Sequence, residues 1–236
     1  MTWPEVETYL ESHKGIILPT GSIEQHGPMG LIGTDAICAR EIAWAAAEIC
    51  GAVVAPALSY APAPFNMSFP GTVSLSTNLY EELARQVMTG LAHHGFEKIY
   101  ILNGHGANLE PLRAAMIGVE AEVRLRSWWD FEPVNALRSE WYGDWEGMHA
   151  TPSEVSITQA THRVVSVPDL EPPEKLTPEY IAAHAGDKHG APDDHRRDFP
   201  DGRVGSHSGL ARVEHGMKLV KVARESVARD FAEFAD

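Results

Sequence analysis

Gly15-Ile16-Ile17-Leu18-Pro19 runs directly into Thr20-Gly21-Ser22-Ile23-Glu24-Gln25-His26-Gly27-Pro28-Met29-Gly30-Leu31-Ile32-Gly33-Thr34-Asp35. The first five residues are a short apolar run bounded by turn formers, the pattern of a strand buried on both faces. The sixteen that follow hold four glycines, so the chain there can turn tightly. They also hold Glu24, His26 and Asp35. Glu24 and His26 are two apart, so in extended chain both side chains point to one side. Two carboxylates with an imidazole suit Zn, Mn or Fe better than Ca or Mg, because imidazole favours the transition metals.

The bulk composition narrows the field. A chain of 236 residues, 44% apolar and 22% charged, fits one large globular domain able to bury a substantial core. Its 33 acidic against 19 basic residues leave a formal charge of −14, which argues against a nucleic-acid backbone or an anionic membrane surface as partner. No apolar run approaches the length of a membrane span. The N-terminal residues lack the basic-then-apolar pattern of a signal peptide. Cys38 and Cys50 fall about 18 Å apart on one expected helix, too far to bridge. Free thiols and the lack of a leader make cytoplasmic localisation the expectation.

Outward from the opening strand, strands and helices alternate. Helices are expected over Trp3–Ser12, Ala36–Cys50 (with Thr34 or Asp35 as N-cap and Gly51 closing it), Thr77–His94, Leu109–Glu122 and Pro152–His162. Strands are expected over Ala52–Pro56, Lys98–Leu102, Val123–Trp128 and Val164–Val167, with a Trp-rich connection from Trp128 to Trp145. A long amphipathic helix, Gly209–Phe234, ends the chain. Residues 168–208 change character: Pro, Asp, His and Gly dominate, with one short helical piece around Pro178 to Ala185. That is too long for an ordinary connection, and reads as a lid or an inter-subunit arm. The alternation predicts an α/β fold, a single domain over 1–236 with a mostly parallel sheet between two helical layers, three-layer α/β/α. In such sheets the site lies beyond the C-terminal ends of the strands. The loops after the first and third strands both emerge there.

Five groups are therefore candidate metal ligands: Glu24, His26, Asp35, His105 and Glu154. One four-coordinate ion does not use so many. Two ions sharing a bridging carboxylate do, and Asp35, the short acid opening a helix, is the natural bridge. Such a pair can hold a hydroxide and polarise a carbonyl together, which is amide-hydrolysis chemistry. His149, five residues before Glu154, is placed to carry the proton from water to the leaving nitrogen.

Gly21-Ser22-Ile23-Glu24-Gln25-His26-Gly27 with Thr34-Asp35, Phe69-Pro70-Gly71-Thr72, Asn103-Gly104-His105-Gly106-Ala107-Asn108, and His149-Ala150 with Glu154 together resemble the creatininase (creatinine amidohydrolase) family, in the right order over about residues 15 to 160. The resemblance implies a parallel α/β sheet flanked by helices, and hydrolysis of a C–N bond in a small cyclic or linear amide, creatinine to creatine in the type reaction. It implies two divalent metals per chain, Zn and/or Mn and sometimes Fe, and a homo-oligomer, often a hexamer. It places Glu24 and His105 on one ion, His26 on the other and Asp35 between them. The family's Asn-Gly-His-Tyr-Glu-Asn has a metal-binding Glu where this chain has Ala107, so the resemblance leaves the missing ligand to Glu154. Trp145, four before His149, resembles a substrate-covering tryptophan, and Ser68, ahead of the Phe-Pro-Gly-Thr turn, is a second candidate substrate contact.

Rival readings stay open at this level. A deformylase or peptidase-like branch of the same family fits the Ala107 departure. A non-catalytic nucleotide-binding α/β module would use the glycine loops as phosphate cradles, although Asn103–Asn108 lacks the Lys of a P-loop. Each single motif also has a plainer meaning, such as a helix-opening Asp35 or a first-turn Glu154 favoured by the helix dipole.

Overall fold

The computed structural model describes residues 1–236. Helix α1 (Trp3–Leu10) leads into β1 (Gly15–Thr20), followed by α2 (Thr34–Cys50), β2 (Val53–Val54), α3 (Thr77–His93), β3 (Lys98–Asn103), α4 (Leu109–Ala115) and β4 (Glu122–Ser127). Five more helices complete the chain: α5 (Glu132–Trp141), α6 (Pro152–Thr161), α7 (Pro178–Ala183), α8 (Pro192–Asp198) and α9 (Val213–Ala235). The strands form one all-parallel sheet in the order β2-β1-β3-β4, with Ile17 beside Tyr100 and Tyr100 beside Arg124 in register.

Side chains that alternate along the strands divide the core in two. Ile17, Tyr100 and Leu102 pack with Cys38 and Ile42 of α2, Ile157 of α6 and Leu219, Val227 and Phe231 of α9. Ile16, Leu18, Ile99 and Ile101 face the other way, onto Tyr80 and Met88 of α3 and Leu112 of α4. Every residue of β1 is buried, because helices cover both faces. This is the three-layer α/β/α arrangement the alternation predicts. Cys38 and Cys50 are both free thiols. No helix is long and apolar enough to cross a membrane.

Several boundaries differ from expectation, each for a physical reason. Helix α2 is N-capped by Gly33, in a left-handed conformation, so Thr34 and Asp35 lie inside its first turn. Helix α4 stops at Ala115 rather than Glu122. Arg85 of α3 reaches across and donates to the carbonyls of Ala114, Ala115 and Ile117, and Gly118 turns with φ 83°. The Trp-rich connection contains α5, which starts at Glu132-Pro133. Val164–Val167 is not a strand: it has no sheet partner, and Gln159 Nε2 donates to the Val165 carbonyl instead. The 168–208 segment holds a second helix, α8, with Pro192 in its first turn, Asp193 and Asp194 near its start, and Arg196 and Arg197 near its end.

The long α9 reaches α6 closely at Gly216, where an added Cβ would overlap the Ser156 carbonyl. In an unhindered helix Gly→Ala stabilises by up to about 1 kcal/mol. Here overpacking against backbone reverses the sign, costing roughly 1–3 kcal/mol. Gly216→Ala should therefore lower Tm by a few degrees in differential scanning calorimetry, and a raised Tm would show that the two helices do not meet at this point.

Candidate metal centre

The C-terminal ends of β1 and β3 deliver the site. Asn103, the last residue of β3, ties the two loops together. Its Oδ1 accepts from Thr20 Oγ1 at 3.0 Å and from the His105 backbone N–H at 3.2 Å, and its Nδ2 donates to the His105 carbonyl at 2.7 Å. Asn108 Nδ2 donates to the Gly21 carbonyl at 3.0 Å, closing the same seam. The start of α2 is pressed against both loops. A Cβ on Gly104 would overlap the Asp35 carbonyl, so only glycine lets β3's loop approach this near.

The five candidate ligands come together. Their donor atoms form overlapping groups, Glu24–Asp35–His105 and His26–Asp35–Glu154, in each of which all atoms lie within 4.8 Å of one another; a third group joins Glu24, His26 and His149. Asp35 belongs to two of them. Its Oδ1 lies 2.9 Å from His26 Nε2, and its Oδ2 lies 3.0 Å from His105 Nδ1. Ser22 Oγ donates to Oδ2 at 2.7 Å and fixes the carboxylate's orientation.

The imidazoles are held from behind. His105 Nε2 donates to the Pro62 carbonyl at 2.7 Å, and His26 Nδ1 faces the Glu24 carbonyl at 3.2 Å. Each ring thus spends its outer nitrogen on a backbone carbonyl and turns the other to the carboxylates, the arrangement metal-ligating histidines use. Glu154 serves twice. Its carboxylate accepts the Thr151 N–H in a capping box at the start of α6, and Glu154 Oε1 also lies 3.8 Å from His26 Nε2.

Burial dominates the charge states. It pushes the Glu154 carboxyl up to about 7, helped by the Asp35 charge. For Asp35, burial acts upward too, but the His26 and His105 imidazoles hold it well below the ordinary range. Burial likewise acts against charge on His26 and His105, yet the carboxylates facing them raise His26 to about 10 and His105 well above its ordinary value. In the ion-free site these two rings carry the positive charge that the acids demand. Burial lowers His149 to about 4, so it is neutral near pH 7.

One oxygen tests whether cations fit. Glu24 Oε1 is fully buried and accepts no hydrogen bond of acceptable geometry, although His105 Nδ1 stands 3.1 Å away. A buried carboxylate oxygen left this way is costly, and an ion held by Glu24, Asp35 and His105 would satisfy it. The donor set of carboxylates and imidazoles fits divalent transition metals.

His149 approaches from the turn before α6. Its backbone pairs with Val204, and the next residue, Ala150, has φ 59°, a left-handed conformation that a non-glycine residue adopts at a cost of about 1–3 kcal/mol. The ring Nε2 lies 2.7 Å from the Gln25 carbonyl, which only accepts, so Nε2 carries the proton. Gln25 Nε2 also lies within 3.0 Å, but its two hydrogens already go to Asn66 Oδ1 and the Gly202 carbonyl. Nδ1 is left unprotonated, 3.7 Å from Glu24 Oε1.

A cavity of about 210 Å³ opens on this cluster, lined by Glu24, Asp35, His105, His149 and Glu154 and walled on one side by Trp128 and Trp129. Trp145 and Ser68 do not line it. Trp145 packs against His207 and lies under Lys175, whose Nζ is 4.6 Å from the ring centroid. Ser68 is turned to α8, where its hydroxyl donates to Asp193. Sequence reasoning missed Asn66, whose Nδ2 donates to Glu24 Oε2 at 2.8 Å, and Asp187, whose carboxylate reaches 3.8 Å from His105 Nδ1. Neither lies in a motif whose spacing announces it.

The creatininase family model, described as creatinine amidohydrolase, matches residues 1–231. The chain belongs to the creatininase family. Members of this family are metal-dependent amidohydrolases. The creatinine amidohydrolase of Pseudomonas putida is 29% identical over 191 residues, 72% of this chain and 71% of that protein. A mycofactocin precursor peptide peptidase of Mycolicibacterium smegmatis is 36% identical over 119 residues, about half of each chain at 48%. Among solved structures, a mutant creatininase of the Zn–Zn type superposes with a TM-score of 0.77 at 25% identity, over 100% of this chain and 97% of that one.

Because His26 and His105 are raised, each holds a proton at pH 7 that an entering ion must displace. Affinity for Zn²⁺ should therefore fall as pH drops, about tenfold per pH unit for each proton displaced. Calorimetric titrations of the metal-free protein in buffers of different ionisation enthalpy should show proton release on binding at pH 7, and binding without release would show the rings to be neutral.

Proposed function

We propose that this member of the family is a dinuclear metal-dependent amidohydrolase that cleaves a C–N bond in a small cyclic or short linear amide. The observation that carries the reading is Asp35, whose two oxygens face two different imidazoles, with Glu24 beside one and Glu154 beside the other. Glu24, Asp35 and His105 would hold one ion, and His26, Asp35 and Glu154 the other. Zn and Mn suit the set best, and Fe is compatible with it. When bound, such a pair supplies an activated water at neutral pH and a Lewis acid for the carbonyl oxygen.

The chain's own groups supply the rest. Asp35 keeps the two halves in fixed register because both of its oxygens are engaged. His149, neutral with Nδ1 unprotonated, accepts a proton from the attacking water at that nitrogen and returns it to the departing nitrogen. Trp128 and Trp129 line one side of the cavity, where they would give an amide apolar contact. A cavity of about 210 Å³ admits a molecule of creatinine's size or the end of a peptide, and not a folded polypeptide.

Creatinine is one candidate substrate. Ala107, at the position where creatininase resembles a metal-binding Glu, and the 36% identity to a peptide peptidase favour a second, a peptide tail or a formamide. We further propose that the protein works as a homo-oligomer, a hexamer by family resemblance, in the cytoplasm. The 168–208 segment would serve it as a lid or subunit contact.

Elemental analysis of the purified protein should give two divalent ions per chain. A panel of creatinine, other cyclic amides, a formamidopyrimidine and short peptides should show turnover of at least one. His105→Ala should lose metal and activity together, whereas His149→Ala should keep both ions and lose turnover by about 10²–10⁴-fold. Equal metal loss in the two variants would refute the division of roles, and a metal-free protein that binds nucleotide tightly would replace the hydrolase reading with a nucleotide-binding module.

A further inference from the structure

Asp187 stands in the turn after α7, far along the chain from every motif of the centre. Its Oδ2 accepts the Ala107 backbone N–H at 3.0 Å and lies 3.8 Å from His105 Nδ1, and Asp187 lines the cavity. It adopts φ 57° directly after Gly186 at φ 75°, so two successive left-handed residues aim this one side chain inward. A Cβ on Gly106 would overlap Asp187 Oδ2, which makes that glycine the seat of the carboxylate. Behind it, His189 packs its ring on Phe65 with a centroid separation of 4.7 Å, and His195 packs on the same phenyl at 5.0 Å. The 168–208 segment is thus anchored in the wall of the site.

Asp187 belongs to none of the three groups whose donor atoms lie within 4.8 Å of one another. It faces His105 without sharing the compact ligand positions of Glu24 and Asp35.

We propose that Asp187 is a positioning carboxylate brought into the cavity by the 168–208 segment, and that it orients the attacking water on the His105 side of the centre. This rests on the dinuclear reading above. Asp187 accepts one hydrogen bond from the water and so turns an oxygen lone pair toward the carbonyl carbon, while the proton given up still travels through His149.

The test uses the full chain loaded with Zn²⁺ or Co²⁺. Asp187→Asn keeps the shape and an acceptor for the Ala107 N–H, so it should fold. It should retain two ions per chain, show shifted cobalt(II) absorption bands, and lose about 100-fold in kcat on the amide that the wild type hydrolyses, with KM within about threefold. Wild-type kcat and unchanged cobalt bands in Asp187→Asn would overturn the proposal. So would loss of one ion equivalent, which would make Asp187 a ligand. If the wild type takes up no ion, the dinuclear reading fails and this one with it. If it takes up two ions yet cleaves no amide in the panel, the amidohydrolase reading alone fails, and the cobalt bands decide on Asp187.

Discussion

The structure depends on one buried carboxylate. Asp35 is 3% exposed and lies between two imidazoles, at the first turn of a helix whose N-terminus points to the sheet's C-terminal edge. Ionised acids are rarely taken this far out of water unless something positive meets them. Here Glu24 and Glu154 are buried beside it, and in the ion-free site the two protonated rings are what meets these acids. The surrounding polar groups serve the same cluster. Ser22, Asn66, Asn103 and Asn108 each donate into this region or tie together the loops that carry it.

The scaffold sets where this charge can sit. Parallel strands bring the loops after β1 and β3 to one edge, and close backbone contact at Gly104 lets α2 start there. Helix α2 packs on β1 and on α9 through Ile42, Ile17 and Leu219, which fixes the helix that carries Asp35 in its first turn. The site is therefore built on rigid elements on one side and on α6, with its capping box, on the other. His149 and Asp187 come from turns in which a non-glycine residue is left-handed, at φ 59° for Ala150 after His149 and 57° for Asp187 itself. Strain of this kind is stored where a side chain must be aimed rather than merely packed.

Much of this was legible in the sequence. The buried strand Gly15–Pro19, the glycine-rich loop and the continuous apolar run of Lys98–Leu102 define the parallel sheet by local pattern alone. Glu24, His26, Asp35, His105 and Glu154 were identifiable because each sits in a short motif with turn residues around it. The failures have a common cause: they depend on distant partners. Helix α4 ends early because Arg85, from another helix, takes its last carbonyls. Val164–Val167 has strand composition but no neighbouring strand. For Trp145, which has the spacing of a substrate cover, the sequence does not show that the ring packs on His207 beneath Lys175.

Asp187 shows the same limit from the functional side. Its neighbours Gly186, Lys188 and His189 form no periodic pattern, and its side chain matters only because Gly106, eighty-one positions earlier, leaves room for it. A loop of this composition would be free to wander if nothing held it. Phe65, the Ala107 N–H and the α8 contact with Ser68 hold it at three points. The segment is thus as much a wall of the cavity as the Trp128–Trp129 side. Only Gly186 and Asp187 of the segment line the cavity, so motifs on β1 and β3 locate the centre without revealing this part of its wall.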